Sequence, residues 1–269
     1  MERKIIDITA LGLAADGFYH VKNDESIYLI KSDCKVVVEN GIKAIIIDES
    51  ANSNIYFNCL DDSSTDYFIV KSKSTKRTFD LNGELNITEI LLDESNEEFN
   101  CNLLKENANV NKKLLSFSNG MIQNVIERVN HNKNKTFSNI SNTGVSMNGG
   151  KIRFDITGFI QRGMSTSNCR QLSRGIVMDD NSEVVAKPIL LIDEFDCFAS
   201  HGATIGKMSD EDLFYLMSRG LNKNEAFLLI LGGMIKPFID QIPSEELKND
   251  IENKINEMIE KWFWWMLKH

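Results

Sequence analysis

His201 is the residue best placed for chemistry in this chain. It stands in the run Asp193-Glu-Phe-Asp-Cys-Phe-Ala-Ser-His-Gly-Ala-Thr204, which gathers three carboxylates, the Cys197 thiol and one imidazole. All three side-chain types ligate metals, and imidazole also moves protons near neutral pH. The spacing C-x3-H is not diagnostic, and packing is the commoner duty of a lone histidine. The other histidines, His20, His131 and His269, have no such company. Five cysteines (Cys34, Cys59, Cys101, Cys169, Cys197) are spread without any CxxC, which gives no zinc or thioredoxin-like pattern. They read mostly as core residues of a reduced protein. Phosphate-cradling GxxxxGK[ST] and GxGxxG loops are missing, as is a GxSxG elbow. Glycoside chemistry needs two carboxylates facing across a cleft, and no pair is singled out.

The elements that must position His201 change character close to it. Up to about residue 206 the apolar pattern has period two. Phe79 and Leu81 alternate with Asp80 and Asn82, Phe99, Cys101 and Leu103 with Asn100 and Asn102, and Ile152, Phe154 and Ile156 with Arg153, Asp155 and Thr157. Such runs, separated by Asn, Ser, Gly and Asp clusters, predict half-buried strands joined by turns. Val36–Val38 and Ala44–Ile47 do not alternate, and predict strands buried on both faces. Strands without intervening helices leave a sandwich, a barrel or a β-solenoid, and no strict short repeat chooses among them. The dense asparagines of 101–150 suit left-handed corners.

After residue 206 the period becomes helical. Ser209-Asp-Glu-Asp212 reads as a capping box ahead of Leu213, Phe214, Leu216 and Met217, and Gly220 as a left-handed C-cap. A second helix starts at Asn222, with Glu225 three residues on and an apolar stripe through Phe227, Leu231, Ile235 and Phe238. Pro237 lies within it. A third starts at Ser244 and ends in Trp262, Trp264 and Trp265, an aromatic turn that implies burial on more than one side. The expected domains are 1–206, mainly β, and 207–269, α-helical.

Composition narrows function. The chain has 269 residues, 30 Lys and Arg against 39 Asp and Glu, and a net charge of −9. That balance disfavours nucleic-acid binding, which needs a cationic face. Lys71, Lys73, Lys76 and Arg77 lack interleaved aromatics and read as a solvated strand face or turn. Neither a signal peptide nor an apolar run approaching the ~20 residues of a membrane span is present. The expectation is a cytoplasmic protein with no membrane partner.

The run Ser200-His-Gly-Ala-Thr-Ile-Gly206, then Met208-Ser-Asp-Glu-Asp-Leu-Phe-Tyr-Leu-Met-Ser-Arg-Gly220 and Asn224-Glu-Ala226, resembles the SufB/SufD family of iron–sulfur cluster assembly proteins, SufD more than SufB. Upstream, Val129-Asn-His131, Gly150-Lys-Ile152, Gln171, Ile176-Val-Met178 and Lys187-Pro-Ile-Leu-Leu-Ile192 continue the likeness, which spans roughly 130–243. The resemblance implies a right-handed β-helix (β-solenoid) core followed by a small helical domain. It implies a non-enzymatic scaffold that pairs with a SufB-like paralogue or with itself as a dimer, and docks a SufC-like ATPase through the helices. Phe214, Tyr215, Arg219 and Phe227 are the docking candidates. His201 is implied at the pairing seam as a cluster-assembly residue and metal ligand, with Cys197 beside it. Many SufD proteins carry cysteine where this chain has Ala199. No stably bound cofactor is expected; an iron–sulfur cluster would be transient cargo. The competing readings are a pure interaction subunit without a metal role, and a β-helix enzyme acting on carbohydrate.

Overall fold

The structure is a computed structural model and describes residues 3–266, with the side chains beyond residue 263 left out of the description. Its strands are β1 (Lys4–Asp7), β2 (Tyr19–Val21), β3 (Ser26–Ile30), β4 (Cys34–Val38), β5 (Lys43–Asp48), β6 (Asn54–Cys59), β7 (Ser64–Ile69), β8 (Lys76–Leu81), β9 (Glu84–Leu91), β10 (Ser95–Leu103), β11 (Asn109–Asn119), β12 (Ile122–His131), β13 (Phe137–Met147), β14 (Lys151–Ile160), β15 (Asn168–Val177), β16 (Glu183–Ile192) and β17 (Phe198–Lys207). Three helices follow: α1 (Asp210–Ser218), α2 (Lys223–Ile239) and α3 (Glu245–Met266).

Odd-numbered strands form one sheet, in the order β1-β3-β5 through β17, and even-numbered strands from β2 to β16 form the other. Every pairing is parallel and joins strands two apart in sequence. The chain therefore crosses from one sheet to the other after each strand. Period two explains the result: alternate residues Phe57, Phe79 and Cys101 of even strands meet Tyr67, Leu85 and Leu114 of odd ones in a continuous core. Phe57, Tyr67 and Phe79 pack ring to ring at 5.3–5.7 Å.

In-register parallel strands also stack like on like, and the asparagines use this. On the outer faces Asn102 donates to Asp80 (2.8 Å) and Asn130 to Asn102 (2.9 Å), with Asn124 to Asn96 (2.9 Å) and Asn111 to Asn86 (3.3 Å) alongside. The corner role expected of asparagine is the smaller one. Among the described non-glycine residues with positive φ, only Asn107 and Asn148 are asparagine; the others are Asp62, Lys135 and Thr166.

Lys71, Lys73 and Lys76 of the basic stretch are exposed as expected, but Arg77 is a correction: it is buried, because it shares the inward phase of Phe79 and Leu81. Its Nε donates to Asp48 (2.8 Å) and its Nη1 to Glu97 (2.6 Å). A second buried knot lies further along: Lys112 bridges Glu89 (2.5 Å) and Glu127 (2.6 Å), and Asn142 donates to Glu127 (2.5 Å). Burial pushes the Glu97 carboxyl up to about 7, against the pull of Arg77. A carboxyl that holds its proton more tightly when folded stabilises the fold fully below its unfolded pKa near 4.5, and that contribution is lost as pH rises toward 7. Calorimetry is expected to show the melting temperature falling across that window, and Glu97→Gln is expected to flatten the decline and melt higher at pH 8. An equally steep decline in the variant would exclude Glu97 as its source.

The helices lie on the odd sheet. Leu115 and Phe117 of β11 and Val145 and Met147 of β13 join Leu213, Leu231, Ile255 and Trp262 in a second core. β11 is thus buried on both faces near its end, which is why its apolar residues run together as Leu114-Leu115. Ser209 Oγ caps α1 by accepting from the Asp212 amide, Gly220 (φ +100°) ends it, and Asn222 with Glu225 forms a complete capping box on α2.

Candidate functional site

β16 and β17 are the last strands of their sheets, so the stack of strands ends there uncovered. The whole of β17 is exposed apart from Gly202, which is partly covered, and Phe198 is 74% exposed. Phe195, in the turn between the two strands, is 98% exposed. β17 is ten residues long. It carries no proline, and its one charged residue, Lys207, stands at its far end, so residues 198–206 lack the charges and prolines that usually protect a sheet edge.

The ladder tells which groups are free. The Phe198 amide donates to the Ser167 carbonyl of the neighbouring segment, so residues 198, 200, 202, 204 and 206 bond inward to β15. Ala199, His201, Ala203 and Ile205 then present their amide and carbonyl groups to solvent.

Side chains obey the other half of the geometry. Ala199, His201 and Ala203 are in register with Cys169, Gln171 and Ser173 of β15, all buried. Their side chains therefore belong to the interior column and are exposed only because no further strand covers them. The column of His201 runs back through Gln171, Ile140, Lys112, Ile87 and Tyr67. Opposite it stand Ala186, Pro188 and Leu190 of β16, in register with buried Phe154, Ile156 and Gly158. The end of the molecule is a cut core with one imidazole in it.

Cys197 lies in the turn, half-buried, its Sγ donating to the Glu194 carbonyl (3.3 Å). Partial burial, then the Glu194 and Asp196 carboxylates, push its thiol up. That is the reverse of what an activated thiolate needs. The nearer thiol is Cys169, directly beneath Ala199 in register, a relation the linear spacing hides. His131 is a core residue between Thr136 (2.8 Å) and Ser138 (2.9 Å), and burial holds its imidazole down at about 4. His20 pairs with Glu39 (2.6 Å) and Asp16 (2.9 Å), which raise its pKa. Among the described residues no group of three or more His, Cys, Asp or Glu is gathered as a metal site.

The other candidates lie on the helices. Phe214 (74% exposed) and Tyr215 stand out from α1, and the Arg219 guanidinium sits 5.2 Å from the centre of the Tyr215 ring. Phe227, by contrast, is buried against Trp262, 5.1 Å between ring centres, and Phe263. Its stripe position faces the helical core rather than a partner. Of the tryptophan turn, Trp262 is in that core; Trp264, Trp265 and His269 have side chains outside the described residues. Between α2 and α3 runs an open groove of about 650 Å³ floored by Gly232 and Gly233 and walled by Leu228, Leu229, Ile255 and Ile259. Among the described residues no helix is long and apolar enough to cross a membrane.

Comparison with known proteins supplies the context. Residues 23–234 match the family described as SUF system FeS cluster assembly, SufBD core domain. The match begins more than a hundred residues before the likeness legible by eye. An iron–sulfur cluster assembly protein SufD of Bacillus subtilis (strain 168) is 35% identical over 116 residues, 43% of this chain and 26% of that protein. A SufBD family protein of Staphylococcus epidermidis (strain ATCC 12228 / FDA PCI 1200) is 32% identical over 149 residues, 54% of this chain and 32% of its own length. One of Staphylococcus aureus (strain USA300) is 31% identical over the same length. The chain thus spans about a quarter to a third of the curated relatives it matches.

Proposed function

The chain belongs to the SufB/SufD family of the SUF iron–sulfur cluster assembly system, and on that premise we propose that it is a non-enzymatic scaffold subunit whose uncovered terminal strands pair with another chain. The observation that carries this reading is β17: nine of its ten residues exposed, outward-facing backbone groups and an open core behind them. In this reading strands 1–206 form a right-handed β-helix and 207–269 an appended helical domain. A SufB-like paralogue, or a second copy, continues the sheet beyond β17 and covers Ala199, His201, Ala203 and Ile205. His201 then lies at the seam, where it ligates iron or carries protons during assembly. One imidazole does not complete an iron site, so the remaining ligands come from the partner chain. The cluster is cargo, built and passed on, in the cytoplasm.

Proline at Ala203 tests the pairing. It removes an outward amide and none that bonds β15, and proline is tolerated on edge strands. Ala203→Pro is expected to lower co-purification with the SufB-like chain at least tenfold while the melting temperature of the isolated chain stays within a few degrees. Unimpaired pairing, measured by sedimentation, would place the interface elsewhere.

The helices dock the SufC-like ATPase through Phe214, Tyr215 and Arg219, with Phe227 acting only by holding α2 against α3. Because Phe214 is exposed, Phe214→Asp is expected to abolish ATPase pull-down without unfolding the helices. Retained pull-down would remove α1 from the docking surface.

A further inference from the structure

We infer that Gln171 is the positioning residue for His201, accepting a hydrogen bond from its imidazole and so deciding which ring nitrogen faces the seam. The inference deepens the reading of His201 as the working group there, and rests on it.

Gln171 is 2% exposed and lies one strand inside His201, in register with it. Its Nε2 donates to the Ile189 carbonyl of β16 (3.2 Å). A carbonyl only accepts, so that bond settles which end of the amide is nitrogen. Oε1 is therefore an oriented acceptor, and it is buried with no partner among the described residues. Leaving such an acceptor dry and unbonded is costly, so it favours any arrangement that brings it a donor. The space that seats the amide comes from Gly158. A methyl there would run into Cys169 Sγ and crowd Gln171 Nε2.

What lies next to Oε1 along the column is His201, whose exposed side chain makes no hydrogen bond among the described residues. Neighbouring side chains of in-register strands are about 5 Å apart at their bases, within reach of an imidazole N–H. Once that N–H is committed to Gln171, the second nitrogen of the neutral ring is bare and available to a metal or a proton. This is how outer partners orient ligating histidines. Ser173, the next interior residue of β15, also has an unpartnered oxygen, but its register partner is Ala203, which brings no donor.

The test is read on the ring itself. Histidine labelled with ¹⁵N in the full chain, at a pH where the ring is neutral, reports the tautomer through long-range ¹H–¹⁵N correlation. His201 is expected to hold one tautomer in the wild type. Gln171→Met, similar in volume and without an acceptor, is expected to give the tautomer mixture of free histidine, and Ser173→Ala to leave the wild-type pattern. In the assembled complex Gln171→Met is expected to slow cluster formation about tenfold with pairing intact. A free-histidine mixture in the wild type, or an equal change in Ser173→Ala, overturns the inference, and the first result needs no variant to fold. The tautomer measurement requires neither partner nor cluster, so it fails or succeeds independently of the scaffold reading.

Discussion

His201→Ala is expected to cut iron–sulfur cluster formation by the assembled complex at least tenfold while leaving fold and pairing intact. The side chain is exposed at the open end, so its loss creates no cavity; exposed substitutions of this kind fall within about 0.5 kcal/mol. A tenfold rate loss is about 1.4 kcal/mol of activation free energy, which a missing ligand or proton carrier readily exceeds. Melting temperature and cluster formation measured on the same complex decide the matter. A large fall in melting temperature with a proportionate loss of assembly would make His201 a structural residue of the seam. Cys197→Ser is expected to do much less, because the Cys197 thiol is pushed up and tied to the Glu194 carbonyl.

Lys112→Met carries the largest expected effect on stability. Lys112 is buried between Glu89 and Glu127, with its ammonium 5.4 Å from the Phe99 ring centre. Removing it leaves two carboxylates in a dry interior with one cation fewer. Breaking a buried ion pair from one side costs roughly 3–5 kcal/mol. Folded domains hold only about 5–15 kcal/mol in total, so the variant is expected to be largely unfolded at 37 °C by circular dichroism. The triple change Lys112→Met with Glu89→Gln and Glu127→Gln is expected to recover much of the loss, since no unpaired charge remains. A single variant as stable as the wild type would show that water enters this interior and screens the carboxylates.

Arg77 and Lys112 show how sequence patterns mislead. Each is a cation in a polar neighbourhood, and Arg77 sits in a stretch that reads as solvated. Phase rather than residue type was the informative signal: Arg77 is two residues from Phe79 and four from Leu81, and Lys112 two from Val110 and from Leu114, all inward positions. Phe227 misleads in the opposite direction. Its place on an apolar helical stripe suits a partner face and a core equally, and only the packing of α3 onto α2 assigns it to the core.

Local physics carried the elements. Alternation over two residues is a property of the extended chain, so Phe79–Leu81 or Ile152–Ile156 announce strands without reference to anything distant. Caps act within four residues, so Ser209, Gly220 and the Asn222–Glu225 box marked the helices on their own. The motif around His201 is likewise contiguous, and singled that residue out. What the chain alone left open was everything set by register between strands some thirty residues apart. Register stacks Gln171 under His201 and Cys169 under Ala199, brings Arg77 to Asp48, and turns the asparagines into ladders. Those contacts depend on how many residues each circuit and corner spends, a sum over many small turns with no strict repeat. The open end has the same origin. β17 is an edge because the chain turns helical after Lys207, and α1 to α3 settle on β9, β11 and β13 instead of covering it.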